Sequence, residues 1–151
     1  EDLFRLVDHQ RVQLFPRGIA ELEREAQLMA SSTSDTALDP HLVLAYPFAG
    51  FFYVSPDNQP LADAIQTGFE RAIADGSYQR LVEELIFTPW LRRTLELKNR
   101  RVIVLANPVA ADVLSAVDSR HWIVPWPELL NEEIETGEQL CAAQKLKALC
   151  S

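Results

Sequence analysis

Apolar residues recur every three or four positions along much of this chain, and short, nearly continuous apolar runs separate the periodic segments. The clearest periodic segment forms one apolar stripe of a helix: Leu61, Ala64, Ile65, Gly68, Phe69, Ala72 and Ile73. Pro60 suits the first turn of this helix, and Gly76 suits the left-handed conformation that ends it. The pattern therefore predicts a helix over 60–73 that stops at Asp75-Gly76.

The same periodicity predicts further helices, and the continuous apolar runs predict strands. We expect helices over 2–10, 19–29, 78–85 and 110–117, the third capped by Ser77 and ended by Thr88-Pro89. We expect strands over 12–15, 42–45, 51–54 and 102–105. Residues 30–39 are small and polar, which predicts a flexible loop, and the acidic composition from Glu128 predicts a helix and then a second short helix broken at Gly137.

One ordered set of these elements resembles a known family. The aromatic run Phe51–Pro56, a polar turn, a helix that opens on Leu61-Ala62 and the sequence Asp75-Gly76-Ser77-Tyr78 resemble the closing segment of periplasmic solute-binding proteins of the amino-acid-binding type, extracellular solute-binding family 3. Two further blocks, Arg11–Gly18 before an acidic helix and Arg100–Pro108, are similar to blocks in a subgroup of that family and stand in the same order. The resemblance covers residues 1–109, and 110–151 form a C-terminal extension with helices.

The resemblance implies an α/β fold of the type II periplasmic-binding-protein kind, present here as the C-terminal part of a two-lobe protein. Family members close two lobes over a small solute, and the chain order would place Val12–Met29 in the second lobe and Phe51–Leu85 in the first. The segment upstream of Glu1 would then hold most of the first lobe. We therefore expect this chain to carry at most part of a site for an amino-acid-like or anionic solute.

The turn after the first predicted strand carries the main departure from the family. Amino-acid-binding members place an Asp there for the ligand ammonium, whereas this chain has Gln13 in the strand and Pro16-Arg17-Gly18 in the binding turn. An Arg at that place attracts a carboxylate or a phosphate. We therefore name Arg17 and Gly18 as ligand-binding candidates; the alternative is that Arg17 is a surface residue that pairs with Glu21 one helical turn onward.

Aromatic residues supply the other ligand-binding candidates. Phe15 adjoins the Arg17 turn, and Tyr46 lies beyond the predicted strand 42–45, where its ring could stack on a ligand. The competing interpretation is that aromatic residues near strands, including Phe51, Phe52 and Tyr53, belong to the core.

Charge and motif content narrow the classes of function. The net charge of −8 argues against nucleic acid as a partner, because such domains neutralise phosphates with Lys and Arg. The five cations between Pro89 and Arg101 are interpreted as a solvated helix face, with an anion site as the alternative. No phosphate loop, nucleophile elbow or zinc-peptidase motif is present, so we expect a protein that is not an enzyme and has no cofactor or metal.

Cys141 and Cys150 are nine residues apart, and one straight helix could not bring them within disulfide distance. A bend between them would permit a bond, but the spacing alone favours two unpaired thiols. No His lies near them at zinc-ligand spacing. The family resemblance implies a periplasmic protein whose signal peptide is not in this chain.

The resemblance also implies the partners. A small-molecule solute would be captured between the lobes, and the closed form would be presented to a membrane permease of an ABC-type uptake system or to a receptor partner. Two alternatives stay open at this point. The chain could be a self-associating module, a homodimer whose exposed strand edges pair between copies, or it could be the sensor domain of a membrane receptor.

Overall fold

The structure is a computed structural model that describes residues 3–30, 34–124, 126 and 133–151. In chain order, its helices and strands are α1 (Leu3–Asp8), α2 (Ile19–Ala30), β1 (Leu42–Ala45), α3 (Gln59–Ala74), α4 (Ser77–Leu85), α5 (Pro89–Leu95), β2 (Arg101–Val104), α6 (Ala111–Ala116) and α7 (Gly137–Leu140). Single 3-10 turns lie at Leu97–Asn99, Pro108–Ala110, Ser119–His121 and Gln144–Leu146. Among the described residues, no helix is long and apolar enough to cross a membrane.

The helix boundaries follow from local capping chemistry. The side chain of Asn58 accepts a hydrogen bond from the Leu61 amide and caps α3, which begins with Gln59-Pro60 as Pro prefers. Gly76 adopts φ 76° between α3 and α4, the left-handed conformation that glycine tolerates best. These features confirm the predicted helices and their break. The prediction that the Ser77 side chain caps α4 was wrong, because the Ser77 hydroxyl donates to the Ala72 carbonyl of α3. Asp75 accepts from the Ser77 amide instead, at 2.8 Å.

The two strands form a parallel pair in which Leu42 faces Arg101 and Ala45 faces Val104. The connection between them holds α3, α4 and α5, as parallel strands require a long crossover. On the outer side of β2, residues 135–137 run antiparallel to it through the Val102 N–Glu135 O bond at 2.7 Å and the Gly137 N–Arg100 O bond at 2.8 Å. That segment covers the start of the outer edge of β2.

Two predicted strands are absent. Residues 12–15 are irregular because the Val12 amide bonds back to the Leu6 carbonyl at the end of α1, and Phe15 packs edge-on against Phe4 with ring centroids 5.0 Å apart. Residues 51–54 are also irregular, since no backbone hydrogen bond of the described residues joins them to β1 or β2. Apolar, β-prone sequence formed a strand only where a partner strand was available.

The core lies between one face of the sheet, the helices α4 and α5, and the C-terminal segment. Its buried apolar members are Ala45, Val82, Phe87, Leu91, Leu95, Leu97, Val102, Trp122, Trp126, Ile134, Leu140, Cys141, Leu146 and Leu149. Residues from beyond position 110 thus share one core with the helices before β2. The aromatic residues Trp122 and Trp126, from the segment that follows α6, are both buried in this core.

The C-terminal segment is held by a disulfide, so the expectation of two unpaired thiols was wrong. Cys141 and Cys150 are bonded, with Cα atoms 5.9 Å apart. The physical reason is that α7 ends at Leu140 and the chain turns through a 3-10 turn at Gln144–Leu146, which returns Cys150 to Cys141. Thr136 caps α7 through a reciprocal pair of hydrogen bonds with Gln139. The acidic helix predicted from Glu128 falls partly on 128–132, which lie outside the described residues. Its next residues, 133–136, are not helical because this segment pairs with β2, and the short helix that follows begins at Gly137.

Candidate functional site

The carboxyl ends of β1 and β2 lie at the same edge of the sheet because the strands are parallel. In open α/β sheets this edge is where ligands commonly bind. Tyr46-Pro47-Phe48 leave β1 at this edge, and Leu105-Ala106-Asn107 leave β2. The Leu105 amide donates to the Ala45 carbonyl at 2.8 Å, so the pairing continues one step past the strands.

An alternation in burial continues from β1 through this edge. Between 42 and 50, every second residue is exposed and each residue between them is buried or half-buried. The exposed set from this segment is Leu42, Leu44, Tyr46 and Phe48, and the facing positions of β2 expose Ile103 and Leu105. Since successive side chains of an extended chain point to opposite sides, these six apolar residues share one face of the sheet. We call them the open face.

The two loops at the carboxyl edge are tied together. The Asn107 side-chain amide donates to the Pro47 carbonyl at 3.1 Å, and Pro47 itself is fully buried. Tyr46 and Phe48 flank Pro47 in sequence and are 46% and 76% exposed. The buried proline and its bound carbonyl therefore fix the backbone between two aromatic rings that face solvent.

The predicted ligand-binding residues Phe15, Arg17 and Gly18 come together before and at the start of α2. The Arg17 guanidinium lies 5.9 Å from the centre of the Phe15 ring, and the Gly18 carbonyl accepts from the Glu21 amide at 3.0 Å. Arg17 Nε donates to Glu25 Oε2 at 3.0 Å, and a second bond joins Arg17 Nη2 to Glu25 Oε1.

These contacts limit the ability of Arg17 to bind an anionic ligand. Its pairing with Glu21, the alternative named from the sequence, is present at 3.8 Å, but the two-bond pairing with Glu25 is closer. Two carboxylates therefore neutralise the guanidinium, and an anionic ligand would compete with both. The fourth candidate, Tyr46, lies at the end of β1, and no hydrogen bond, ion pair or ring contact among the described residues links it to this cluster.

Arg100 positions the amino ends of both strands. It is 5% exposed, and its guanidinium donates to the carbonyls of Asp39, Leu42, Thr94 and Leu95. Burial lowers the pKa of Arg100, and the charges of Asp39 and Glu96 oppose that shift. The prediction that all five cations between Pro89 and Arg101 line a solvated face was wrong for Arg100, since backbone carbonyls replaced its water.

Asp39 initiates β1. Its carboxylate accepts from the His41 amide at 2.8 Å and from the Leu42 amide at 2.7 Å. These hydrogen bonds, helped by the charges of His41 and Arg100, hold the pKa of Asp39 below its usual value. Asp39 and Arg100 thus fix the start of β1 from two sides.

A second polar cluster lies between α3, α4 and the segment 118–122. Phe69 packs against Tyr78 at 4.9 Å and against His121 at 5.9 Å, and burial raises the pKa of Tyr78. His121 Nε2 and Trp122 Nε1 are buried without a hydrogen-bond partner among the described residues. Lys145 Nζ donates to the Trp122 carbonyl at 2.6 Å and so ties this cluster to the disulfide-closed segment.

Two other features bear on chemistry. An open depression of about 200 Å³ lies between α5 and the C-terminus, lined by Arg92, Lys98, Leu149 and Cys150 among others. It is smaller than the roughly 300–1,000 Å³ of typical ligand pockets. Within the described ranges, no group of three or more His, Cys, Asp or Glu side chains is arranged to hold a metal ion.

Phe48 and Asn107 were missed as candidates. The signal for Phe48 was present in the sequence, because large residues alternate with smaller ones from Leu42 through Ala49. That alternation predicts one extended segment with a single exposed face, although Pro47 in its middle is a residue that commonly ends a strand. The bond from Asn107 to Pro47 depends on the pairing of strands that are far apart in sequence, and no local pattern indicates it.

Comparison of the chain with protein-family models, with curated proteins and with solved structures finds no significant match. The resemblance to family 3 solute-binding proteins therefore stays a prediction from the residues that carry it.

Proposed function

We propose that this chain binds a small solute at the carboxyl edge of β1 and β2, as part of an extracytoplasmic protein for uptake or sensing. The solute is amino-acid-like or of similar size and carries an apolar part. The chain acts by binding and not by turnover. In the two-lobe arrangement that the resemblance implies, this edge forms one wall of the cleft, and closure presents the complex to a membrane permease or receptor.

The observation that carries the proposal is the pair of exposed aromatic rings at the edge where parallel sheets bind ligands. Tyr46 and Phe48 are 46% and 76% exposed on a backbone that Pro47 and Asn107 hold in place. Apolar walls with a few fixed polar groups are typical of small-molecule sites. The Tyr46 hydroxyl can donate to a ligand carboxylate or accept from a ligand ammonium.

The Arg17 cluster takes a secondary place in this proposal. Arg17 is paired with Glu25 and Glu21, so it would reach an anionic ligand only if a closing motion exchanged those partners. The proposal therefore assigns the first contact to Tyr46 and Phe48. It keeps Phe15, Arg17 and Gly18 as candidates for the opposite wall.

The disulfide supports the extracytoplasmic location. Disulfides form and persist in oxidising compartments such as the periplasm, and they are rare in the reducing cytosol. The Cys141–Cys150 bond closes a segment whose Leu146 and Leu149 are buried in the core, so the oxidised form is part of the folded structure. This location is the one that the family resemblance implies.

The test is a thermal-shift screen of the purified chain against apolar, polar and anionic amino acids, followed by calorimetry. A ligand at about 100 times its Kd stabilises the folded state by about 2.7 kcal/mol. For a chain of this size, that free energy raises Tm by about 5–11 °C. We expect apolar amino acids to give the largest rise.

A pair of variants locates the site. Tyr46→Ala removes a ring at the carboxyl edge and should weaken binding about tenfold, the equivalent of about 1.4 kcal/mol. Tyr53→Ala removes the same kind of ring from a residue that is 91% exposed outside the edge, and it should leave binding unchanged. Equal loss in both variants, or no rise in Tm with any solute, would contradict the proposal.

A further inference from the structure

The open face is unusual for a parallel sheet. Parallel strands are commonly buried on both faces, and their sequences are then nearly continuous apolar runs. β1 reads Leu-Val-Leu-Ala and β2 reads Arg-Val-Ile-Val, so the sequences match a sheet covered on both sides. The structure covers only the face that carries Ala45 and Val102, which are buried in the core.

The exposed apolar area is large. The six residues of the open face are between 41% and 76% exposed. With about 200 Å² for each large side chain, the scale of an aromatic residue, the open face presents about 600 Å² of apolar surface. This area is at the upper end of the roughly 300–600 Å² of the largest patch on a typical monomer, and such patches are often functional.

We infer that the open face is an interface between two copies of this chain. A specific interface at the low end of the known range buries about 600 Å² on each partner, which matches the area of the open face and favours a reversible dimer. In a two-fold dimer the same patch lies on both sides of the interface, so an apolar face meets an apolar face. Two sheets pack in this way about 10 Å apart in many β-sandwiches.

Charge also favours a second copy over a charged partner. The chain carries a net charge of −8, yet all six residues of the open face are uncharged, and the charged residues Asp39 and Arg101 adjoin it at the amino ends of the strands. A basic partner would gain nothing from this face, because its cations would find no carboxylate there and would lose water. The open face of a second copy brings no acidic group into the interface, and the acidic residues of both copies stay in solvent.

Tyr46 and Phe48 belong both to the open face and to the proposed solute site, so a solute and a second copy would compete for these two rings. Self-association itself is tested at the aliphatic residues in the middle of the open face, Leu44 and Ile103, which face each other across the two strands. They are 43% and 41% exposed, so substituting them alters the surface of the protein and leaves its hydrophobic core intact. The oligomeric state can therefore be tested without any ligand.

Sedimentation velocity and light scattering of the full chain from about 1 to 100 µM measure the mass directly. The expected result is a species of twice the chain mass of 17.1 kDa, in reversible exchange with the monomer. Leu44→Lys and Ile103→Lys place a cation in the centre of the interface, and each should weaken the dimer at least 100-fold. Leu85→Lys is the matched control, because Leu85 is 68% exposed on α4 and is not part of the open face, and this variant should remain a dimer.

Circular dichroism checks that each variant is folded, and binding of a hydrophobic dye reports whether the face is covered. A wild-type dimer should bind little dye, and a folded Leu44→Lys monomer should bind more through the remaining open face. A wild-type chain that stays monomeric at 100 µM would overturn the inference whether or not it binds the dye, because no second copy would then cover the face. A dimer that survives both lysine substitutions would overturn it as well.

Discussion

The disulfide is the covalent link that holds the C-terminal segment in the core, and removing it offers a sharp test of the structure. The bond joins Cys141 to Cys150 across a sequence separation of nine residues. Between them lie Leu146, which is 2% exposed, and Leu149, which is 4% exposed. Cys141→Ala with Cys150→Ala removes the link and leaves those two contacts in place.

The expected loss follows from the length of the closed loop. For a loop of about ten residues, the chain-entropy relation gives about 2.7 kcal/mol at 25 °C, because the uncrosslinked unfolded chain regains conformational freedom. Such a loss lowers Tm by about 5–11 °C for a protein of this size. The total stability of a domain is about 5–15 kcal/mol, so the double variant should still fold.

Urea unfolding and thermal denaturation, each with and without a reducing agent, measure this effect. Reduction should lower the Tm of the wild type by the same amount as the double substitution, and it should leave the double variant unchanged. Titration of free thiols confirms complete reduction. If the fully reduced wild type melted within about 2 °C of the oxidised form, the loop-entropy argument would be refuted for this segment.

Two glycine substitutions test the packing of the fold, and one aspartate substitution tests the start of β1. Gly137→Ala drives a Cβ into the Leu97 carbonyl oxygen, a backbone atom that cannot rotate away, and should cost about 1–3 kcal/mol or more in urea unfolding. Gly68→Ala meets nothing within 4 Å in the interior of α3 and should stabilise the fold by about 0.5–1 kcal/mol, so equal effects would contradict the packing. Asp39 has a lowered pKa, so its stabilisation is present above its unfolded pKa and is lost as pH falls through the folded value. Asp39→Asn should therefore destabilise the protein at pH 7, and the gap from wild type should narrow as the pH is lowered below about 4; a gap independent of pH would contradict this.

Local sequence predicted the elements whose signals are local. The apolar stripe from Leu61 to Ile73 and the glycine at 76 were enough to place α3 and α4. The three- and four-residue spacing indicates a helix, and glycine favours the left-handed conformation that ends one. The apolar runs at 42–45 and 102–105 predicted β1 and nearly the exact bounds of β2. The parallel pairing between them follows only from the tertiary structure.

The errors came from features that depend on distant residues. The run 51–54 has the composition of a strand, but a strand requires a neighbour to bond with, and sequence does not name that neighbour. Arg100 looked like one more solvated cation, yet carbonyls from Asp39 and Leu42, about 60 positions away, surround its guanidinium. The disulfide was missed for the same reason, because only the turn between α7 and Cys150 brings the two sulfurs together.

Both proposals, solute binding and self-association, use the parallel pair β1 and β2. The residues that stabilise this pair differ from those that would contact a solute or a second copy. A two-stranded sheet is marginal by itself, but here the core covers one face, Arg100 fixes the amino ends, and residues 135–137 cover part of one edge. The open face and the carboxyl edge can therefore keep their positions without contributing to them. It follows that changes at Arg100 should weaken solute binding and self-association together. Leu44→Lys should act chiefly on self-association, whereas Tyr46→Ala removes a ring that belongs to both surfaces and should weaken both.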